Sequence, residues 1–186
     1  MKIFFTLFST FLLSTLCKIS FCQSVPEFNP NHAMSDHELE QYRQSIWDSL
    51  PGAVGWVNDF GGLFKLSQTD TLESLIEHFE KETTIEIMIV TIDSNMVAKE
   101  KMAGFADRLL KIWGIGKRAK KNGIVICICS GYKQIEMSTD AGIEIIMDDV
   151  RKMQLLKKYF IPDYQRNRYY HGTFIGLTAL IKVLTP

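Results

Sequence analysis

The sequence is poor in cysteine, with 4 among 186 residues. Cys17 and Cys22 lie in an amino-terminal apolar stretch, so only Cys127 and Cys129 belong to the body of the chain. These two fall on the same face of a predicted strand, where their side chains are poorly placed for a disulfide. A redox or zinc site would need a Cys-x-x-Cys spacing and further ligands. We therefore predict two buried, unpaired thiols.

The chain also lacks an excess of charge, because 21 Lys and Arg balance 21 Asp and Glu. This near-neutrality argues against general nucleic-acid binding, which depends on a positive surface. Repeats and low-complexity stretches are missing as well. Together these features predict one ordinary folded domain.

The motifs of three common enzyme classes are missing. A serine hydrolase of the Gly-x-Ser-x-Gly type is disfavoured because no such elbow occurs. The Gly-rich loop 113–123 lacks the Gly-x-x-x-x-Gly-Lys-Ser/Thr of a P-loop, and its basic run 117–121 is predicted to be solvated, with an anionic partner as the alternative. The histidines form no His-x-x-x-His pair and are predicted to be solvent-exposed; they are His32, His37, His78 and His171.

Two tyrosines near the carboxyl terminus leave two interpretations open. Tyr169 and Tyr170 lie close in sequence to Arg166 and Arg168, and one interpretation is that these residues contact a ligand. Aromatic anchoring of the last helix is the other interpretation, and we favour it.

The amino terminus predicts export. Residues 1–22 combine Lys2, the apolar run 3–16 and a small residue at −3 and at −1 of a cleavage position between Cys22 and Gln23. We expect a periplasmic or secreted protein. An uncleaved anchor is the alternative, although the run is shorter than the roughly 20 residues needed to span a bilayer. No later run is long enough, so we expect no transmembrane helix in the mature chain.

Residues 23–55 are predicted to be a leader followed by a helix at 36–50, and residues 56–184 an α/β domain. A second helix is expected from Ser67 to Thr83, because Ser67 and Asp70 have the spacing of a capping box at its start.

Strands are predicted at 85–92 and 123–129 because both are apolar on both faces, as in a covered sheet. An amphipathic helix ending at Trp113 joins them, as in a right-handed βαβ unit. An antiparallel edge strand is expected at 133–139. Two helices, at about 142–160 and 167–184, close the domain; the second contains Gly172 and Gly176, which indicate either close helix packing or two tolerated glycines.

Four oxygen-bearing side chains stand in loops or at predicted element starts: Asp59, Asn122, Asp140 and Glu144. Hard divalent ions prefer oxygen ligands delivered from several loops, so their convergence would make a calcium or magnesium site. The alternative is ordinary turn and capping chemistry, which the residues alone favour.

Six short motifs follow one another along the chain: Val57-Asn58-Asp59-Phe60-Gly61-Gly62-Leu63, Trp113-Gly114-Ile115-Gly116-Lys117, Asn122-Gly123, Gly142-Ile143-Glu144, Ile161-Pro162 and Tyr169-Tyr170-His171-Gly172. Their order resembles the TPM domain family. The resemblance covers roughly residues 56–184 and implies an α/β/α three-layer sandwich with a small mixed central sheet. The family includes thylakoid-lumen and exported bacterial proteins; some members bind divalent ions through loops, and some hydrolyse phosphomonoesters.

By this resemblance, Asp59, Asn122 and Glu144 match family positions and are expected to lie together at one end of the sheet. Lys121 stands where the family usually has Asp, and Asp140 where it has Gly. A lysine there would repel a divalent ion. Three outcomes are open. The site no longer binds a divalent ion; Lys121 faces solvent and Asp140 supplies the missing carboxylate; or the Lys121 ammonium replaces the ion and pairs with Asp59 or Asp140.

We expect an exported TPM-like binding or accessory module at an envelope or membrane-protein complex, with a weak or degenerate divalent-metal site. The alternative is a divalent-metal-dependent phosphatase. It is disfavoured by Lys121 and by the lack of an identifiable nucleophile or general base pair.

Overall fold

The computed structural model describes residues 34–185. The predicted signal peptide and its cleavage position lie outside these residues, and the boundaries at 22 and 55 stay predictions. Within the described part, four strands form one sheet in the order β1-β2-β3-β4. The first three strands are parallel and β4 is antiparallel to β3. The strands are β1 (Val57–Asp59), β2 (Glu86–Ile92), β3 (Gly123–Cys129) and β4 (Gln134–Thr139).

Helices cover both faces of this sheet. A 3₁₀ turn at Lys99–Lys101 leads into α3, and a π-helical turn at Leu156–Phe160 joins α5 to α6. Among the helices of residues 34–185, none is long and apolar enough to cross a membrane. The helices are α1 (Asp36–Asp48), α2 (Leu66–Thr83), α3 (Met102–Ile112), α4 (Ala141–Glu144), α5 (Asp149–Leu155), α6 (Ile161–Tyr164) and α7 (Tyr169–Leu184).

The pleat of the central strands divides the core into two halves. In β2, Ile87 and Ile89 face the layer formed by α2 and α4 to α7, whereas Met88 and Val90 face α3. α1 adds partly buried side chains, Trp47 among them, to the α3 side. Strands buried on both faces are apolar throughout, which is the pattern the sequence showed. The predicted three-layer sandwich with a small mixed sheet is confirmed.

Both body cysteines lie on the α3 face of β3. Cys127 and Cys129 are fully buried and unpaired, as predicted. Burial in apolar surroundings raises the pKa of the Cys127 thiol far above its ordinary value, so this thiol stays protonated and inert.

The start of α2 differs from the prediction. The helix begins at Leu66, and Lys65 rather than Ser67 is the N-cap residue. The Lys65 N–H donates to Gln68 Oε1 at 2.9 Å, so Gln68 takes the role expected of Asp70.

The prediction of a single helix at 142–160 is wrong. This segment is divided into α4, α5 and the π-helical turn because Asp148 starts a new helix. The Asp148 carboxylate accepts the Arg151 N–H at 2.8 Å, which is ordinary N-cap chemistry. A side-chain cap of this kind interrupts a segment whose apolar spacing suits one helix.

The glycines of α7 allow close helix packing. A Cβ atom at Gly176 would lie 2.2 Å from the Phe160 ring, and one at Gly172 would lie 2.9 Å from Tyr164. Phe160 and Tyr164 are almost completely buried. Of the two interpretations of these glycines, close packing is therefore confirmed.

Replacing Gly176 with alanine should lower the free energy of unfolding by about 1–3 kcal/mol, because the new methyl group forces Phe160 out of its packed position. Urea denaturation followed by circular dichroism measures the change. Gly52→Ala is the matched control, since a Cβ atom there meets nothing within 4 Å. Equal stability of the two variants would contradict the close packing.

Candidate functional site

The four predicted ligands do not lie at one end of the sheet. Asp59 ends β1 and pairs in register with Thr91 near the carboxyl end of β2. Asn122 precedes β3, whose first residue pairs with Glu86 at the amino end of β2. Because these strands are parallel, Asp59 and Asn122 belong to opposite ends. The expectation that they lie together is wrong.

The Asp59 carboxylate holds the loop that leads into α2. Its two oxygens accept the backbone N–H groups of Leu63 and Phe64, each at 2.9 Å. The Thr91 hydroxyl donates to the same carboxylate. The oxygen of this hydroxyl also accepts the Gly61 N–H at 2.9 Å. Asp59 thus acts here through turn chemistry.

Asn122 ties two loops together at the other end of the sheet. Its carbonyl oxygen accepts the Lys117 N–H at 2.8 Å, and its amide nitrogen donates to the Thr84 carbonyl at 2.7 Å. The side chain is buried. Both functional atoms of this amide are therefore engaged with the backbone.

Asp140 and Glu144 follow β4 on the Asn122 side. Asp140 is the N-cap residue of α4 without a side-chain cap bond, and its N–H donates to the Gly123 carbonyl at 2.9 Å. Glu144 lies on α4 and is exposed. The sheet thus brings Asn122 and Asp140 close together, with Glu144 one helical turn further on.

Lys121 is exposed and adopts a left-handed backbone, with φ of 47°. Its carbonyl accepts the Gly142 N–H at 2.8 Å, which fixes the start of α4. Asp59 lies at the far end of the sheet, and no ion pair joins Lys121 to Asp140 within residues 34–185. The outcome in which the Lys121 ammonium pairs with Asp59 or Asp140 is therefore not seen among the described residues, and the other two outcomes stay predictions.

The other cations of the basic run are partly held by neighbours. Lys117 forms ion pairs with Glu86 at 2.5 Å and Glu80 at 3.2 Å. Hydrogen bonding to Glu86 and Glu80 raises the pKa of Lys117. Lys120 donates to the Thr84 hydroxyl at 2.7 Å. The run serves partly to fasten this loop to α2 and β2.

The residues in the described part of the chain include no group of three or more His, Cys, Asp or Glu side chains placed to hold a metal ion. Asp59, Asn122, Asp140 and Glu144 also fail to form one coordination sphere, since the first is remote from the others. Calcium or magnesium binding stays a prediction, and a site of that kind would have to be built at the Asp140 end.

A cavity of about 360 Å³ opens near the carboxyl end of the sheet. Its position follows from Tyr169, which lines the cavity. The Tyr169 hydroxyl donates at 3.2 Å to the carbonyl of Ser130, the residue just after β3. Ligands of open α/β sheets bind at this end of parallel strands. The cavity is lined by Leu63, Gln68, Asn167, Arg168, Tyr169, Tyr170 and His171.

A buried carboxylate, Asp163, organises the cationic side of this cavity. One oxygen accepts from His171 Nδ1 at 2.7 Å, and the other forms an ion pair with Arg168. The hydrogen bond from His171, and next the charge of Arg168, lower the pKa of the Asp163 carboxyl, while burial opposes them. His171 is about half exposed, as predicted, but it is also paired with Asp163.

Tyr169 and Tyr170 anchor the last helix, and the ligand contact considered for them stays a prediction. The Tyr169 ring packs on Tyr164 with centroids 5.1 Å apart, and the Tyr170 ring meets Phe64 edge-on at 6.4 Å. They anchor α7, as favoured, and they also line the cavity. Sequence reasoning missed this cavity because its wall joins the α2 entry loop to the turn between α6 and α7. Asp163 and His171 are eight residues apart, a spacing that signals no motif.

The TPM domain family matches residues 57–183, and the chain belongs to this family. The match covers β1 to α7 and leaves α1 outside. No curated protein matches the chain.

Two solved structures resemble the fold. The N-terminal domain of a P. gingivalis protein shares 21% identity at a TM-score of 0.64, covering 78% of this chain and 90% of that one. The N-terminal domain of a Corynebacterium glutamicum protein shares 8% identity at a TM-score of 0.54, covering 85% and 93%. At these identities the likeness concerns the fold alone.

Asp59→Asn should lower the free energy of unfolding by about 1–3 kcal/mol, because an amide nitrogen replaces one acceptor of a backbone N–H. The amide protons of Leu63 and Phe64 should also exchange faster with solvent, as hydrogen-exchange NMR measures. Asp70→Asn, at an exposed position on α2, removes the same charge and serves as control. Unchanged exchange at both amides would contradict the anchoring role.

Asp163→Asn should also destabilise the fold at neutral pH, by about 1–3 kcal/mol, because it removes a partly buried ionised partner of Arg168 and His171. The folded-state pKa of Asp163 is lowered, so its contribution is present above the unfolded pKa of about 3.9 and is lost as pH falls through the folded pKa. Urea unfolding at several pH values should show the difference from wild type shrinking below about pH 4. The control is Asp70→Asn at an exposed position on α2, and a pH-independent difference for Asp163→Asn would overturn this account.

Proposed function

We propose that this chain is an exported TPM binding or accessory module that acts at an envelope complex. The observation that carries the proposal is the engagement of Asp59 and Asn122. Both are positions that the family resemblance marks as ligands, and both side chains are bonded to neighbouring loops at opposite ends of the sheet. This arrangement favours a scaffold that presents surfaces over a metal-dependent phosphatase.

A surface suited to a protein partner lies on α5 and the turn before it. Ile145 and Val150 are 88% and 65% exposed, and Met153 and Ile146 are about half exposed. Val150 and Met153 are three apart on α5 and therefore share a face. Exposed apolar side chains that gather in this way are typical of protein interaction sites.

Site-specific photo-crosslinking in the source cells tests the module. A crosslinking residue at position 150 or 153 should give a discrete adduct with an envelope protein, and one at the exposed position of Glu77 on α2 should give none. Adducts of equal yield from all three positions, or from none, would contradict the proposal.

A titration with calcium, combined with a phosphatase assay on the same sample, tests the alternative. We expect weak calcium binding and no hydrolysis of p-nitrophenyl phosphate. Lys121→Asp should strengthen calcium binding, because it replaces a repelling cation with a carboxylate near Asp140. Asp59→Ala should leave that binding unchanged, since Asp59 lies at the far end of the sheet. Metal-dependent turnover by wild type would favour the phosphatase.

A further inference from the structure

The cavity beside Asp163 carries chemistry that the proposed function does not use. Arg168 and His171 line it, and both bind the same buried carboxylate through different oxygens. Asp163 is 8% exposed, while the side chains of Arg168 and His171 are about half exposed. The buried carboxylate therefore fixes the Arg168 guanidinium and the His171 imidazole side by side in the cavity wall.

The charge of this cluster limits the ligand. With Asp163 ionised and Arg168 charged, the net charge is zero when His171 is neutral and positive by one when it is protonated. A carboxylate carries one negative charge, which the cluster matches when His171 is protonated. A phosphoryl group carries about 1.5 to 2 at neutral pH, which the cluster leaves partly unneutralised beside buried Asp163.

The donors that line the cavity suit the same group. A guanidinium has five N–H donors in a planar fork that matches a carboxylate, and one nitrogen of Arg168 already contacts Asp163. The Gln68 carbonyl oxygen accepts the Lys65 N–H at 2.9 Å. This bond leaves the Gln68 amide nitrogen as a further donor in the cavity wall.

Apart from Asn167, the remaining wall is apolar or aromatic. Leu63, Tyr169 and Tyr170 line it, and both tyrosine rings are held by contacts with Tyr164 and Phe64. The volume of about 360 Å³ is at the lower end of the range for ligand sites. A ligand with a single aromatic or branched aliphatic group fits within this volume.

We propose that this cavity binds a carboxylate attached to an apolar group, with Arg168 and His171 on the carboxylate and Leu63, Tyr169 and Tyr170 around the apolar group. The proposal stands apart from the envelope function, because it rests on other residues than the α5 surface. Two sources share this chemistry, a free organic acid and the carboxyl terminus of a peptide that ends in an apolar residue.

Titration of the purified protein with phenylacetate, followed by NMR of the amides of residues 167–171, tests the site. Phenylacetamide has the same shape without the charge and should bind at least about tenfold more weakly, since a charge-assisted bidentate contact is lost. Phenyl phosphate should bind no more tightly than phenylacetate. Equal binding of phenylacetamide, tighter binding of phenyl phosphate, or no shift with millimolar phenylacetate would each overturn the proposal.

Arg168→Gln should weaken phenylacetate binding by about tenfold or more, because it removes the fork. Arg166→Gln is the matched control: it removes the same charge two residues away, at an exposed position outside the cavity. If Arg168→Gln does not fold, His171→Gln provides the second variant, which keeps a donor for Asp163 and removes the cation. Equal affinity of the Arg166 variant and of whichever cavity variant folds would exclude the assigned cluster.

A peptide that ends in phenylalanine with a free carboxylate, compared with its carboxamide form, identifies the source. Tighter binding of the free peptide than of phenylacetate indicates a peptide terminus. Weaker binding than phenylacetate indicates a free acid. Either ranking supports the carboxylate site, while equal binding of free peptide and carboxamide contradicts it.

Discussion

Strands β2 and β3 are buried along their length on both faces, and this burial imposes the rest of the architecture. Every buried N–H and C=O of these strands must find a partner, so each lies between two neighbours in the sheet. Their apolar side chains must also be covered from both sides. α2 and α4 to α7 cover one face, and α3 with α1 covers the other. Polar chemistry is thereby confined to the two ends of the sheet.

At each end of the sheet, one polar side chain binds the backbone of the connecting loops and is therefore not free to bind a ligand. At the carboxyl end, Asp59 satisfies two backbone N–H groups of the loop before α2. At the amino end, Asn122 joins the loop before β3 to Thr84 at the end of α2. Leaving buried donors without partners is costly, which explains why these side chains face the backbone.

Apolar spacing predicted the buried elements of the fold, but it did not predict the break within a helix. The bounds of β3 and the buried stripe of α3 follow from the spacing of apolar residues, which is local information. The break before α5 depends on one side-chain cap from Asp148 to the nearby Arg151 N–H, which apolar spacing does not reveal.

The positions of the candidate sites could not be predicted, because they depend on contacts between residues that are distant in the sequence. Asp59 and Asn122 were grouped through the order of family motifs, although the parallel register places the end of β1 and the start of β3 at opposite ends. The cavity was missed for a related reason, since Leu63 and His171 meet only when α7 packs beside the α2 entry loop. Of its residues, the sequence indicated only Tyr169, Tyr170 and Arg168, through their clustering.

The structural role of Asp59 nevertheless reaches the cavity. Its carboxylate fixes the Leu63 N–H, and Leu63 forms part of the apolar wall. The same loop ends at Lys65, whose N–H orients the Gln68 side chain in that wall. One side of the cavity is therefore set by a carboxylate outside its lining, and the opposite side by Asp163, which is buried behind it. A site built in this way keeps its geometry through groups that do not line it, so a change at Asp59 or Asp163 acts on the cavity only through the residues that they position.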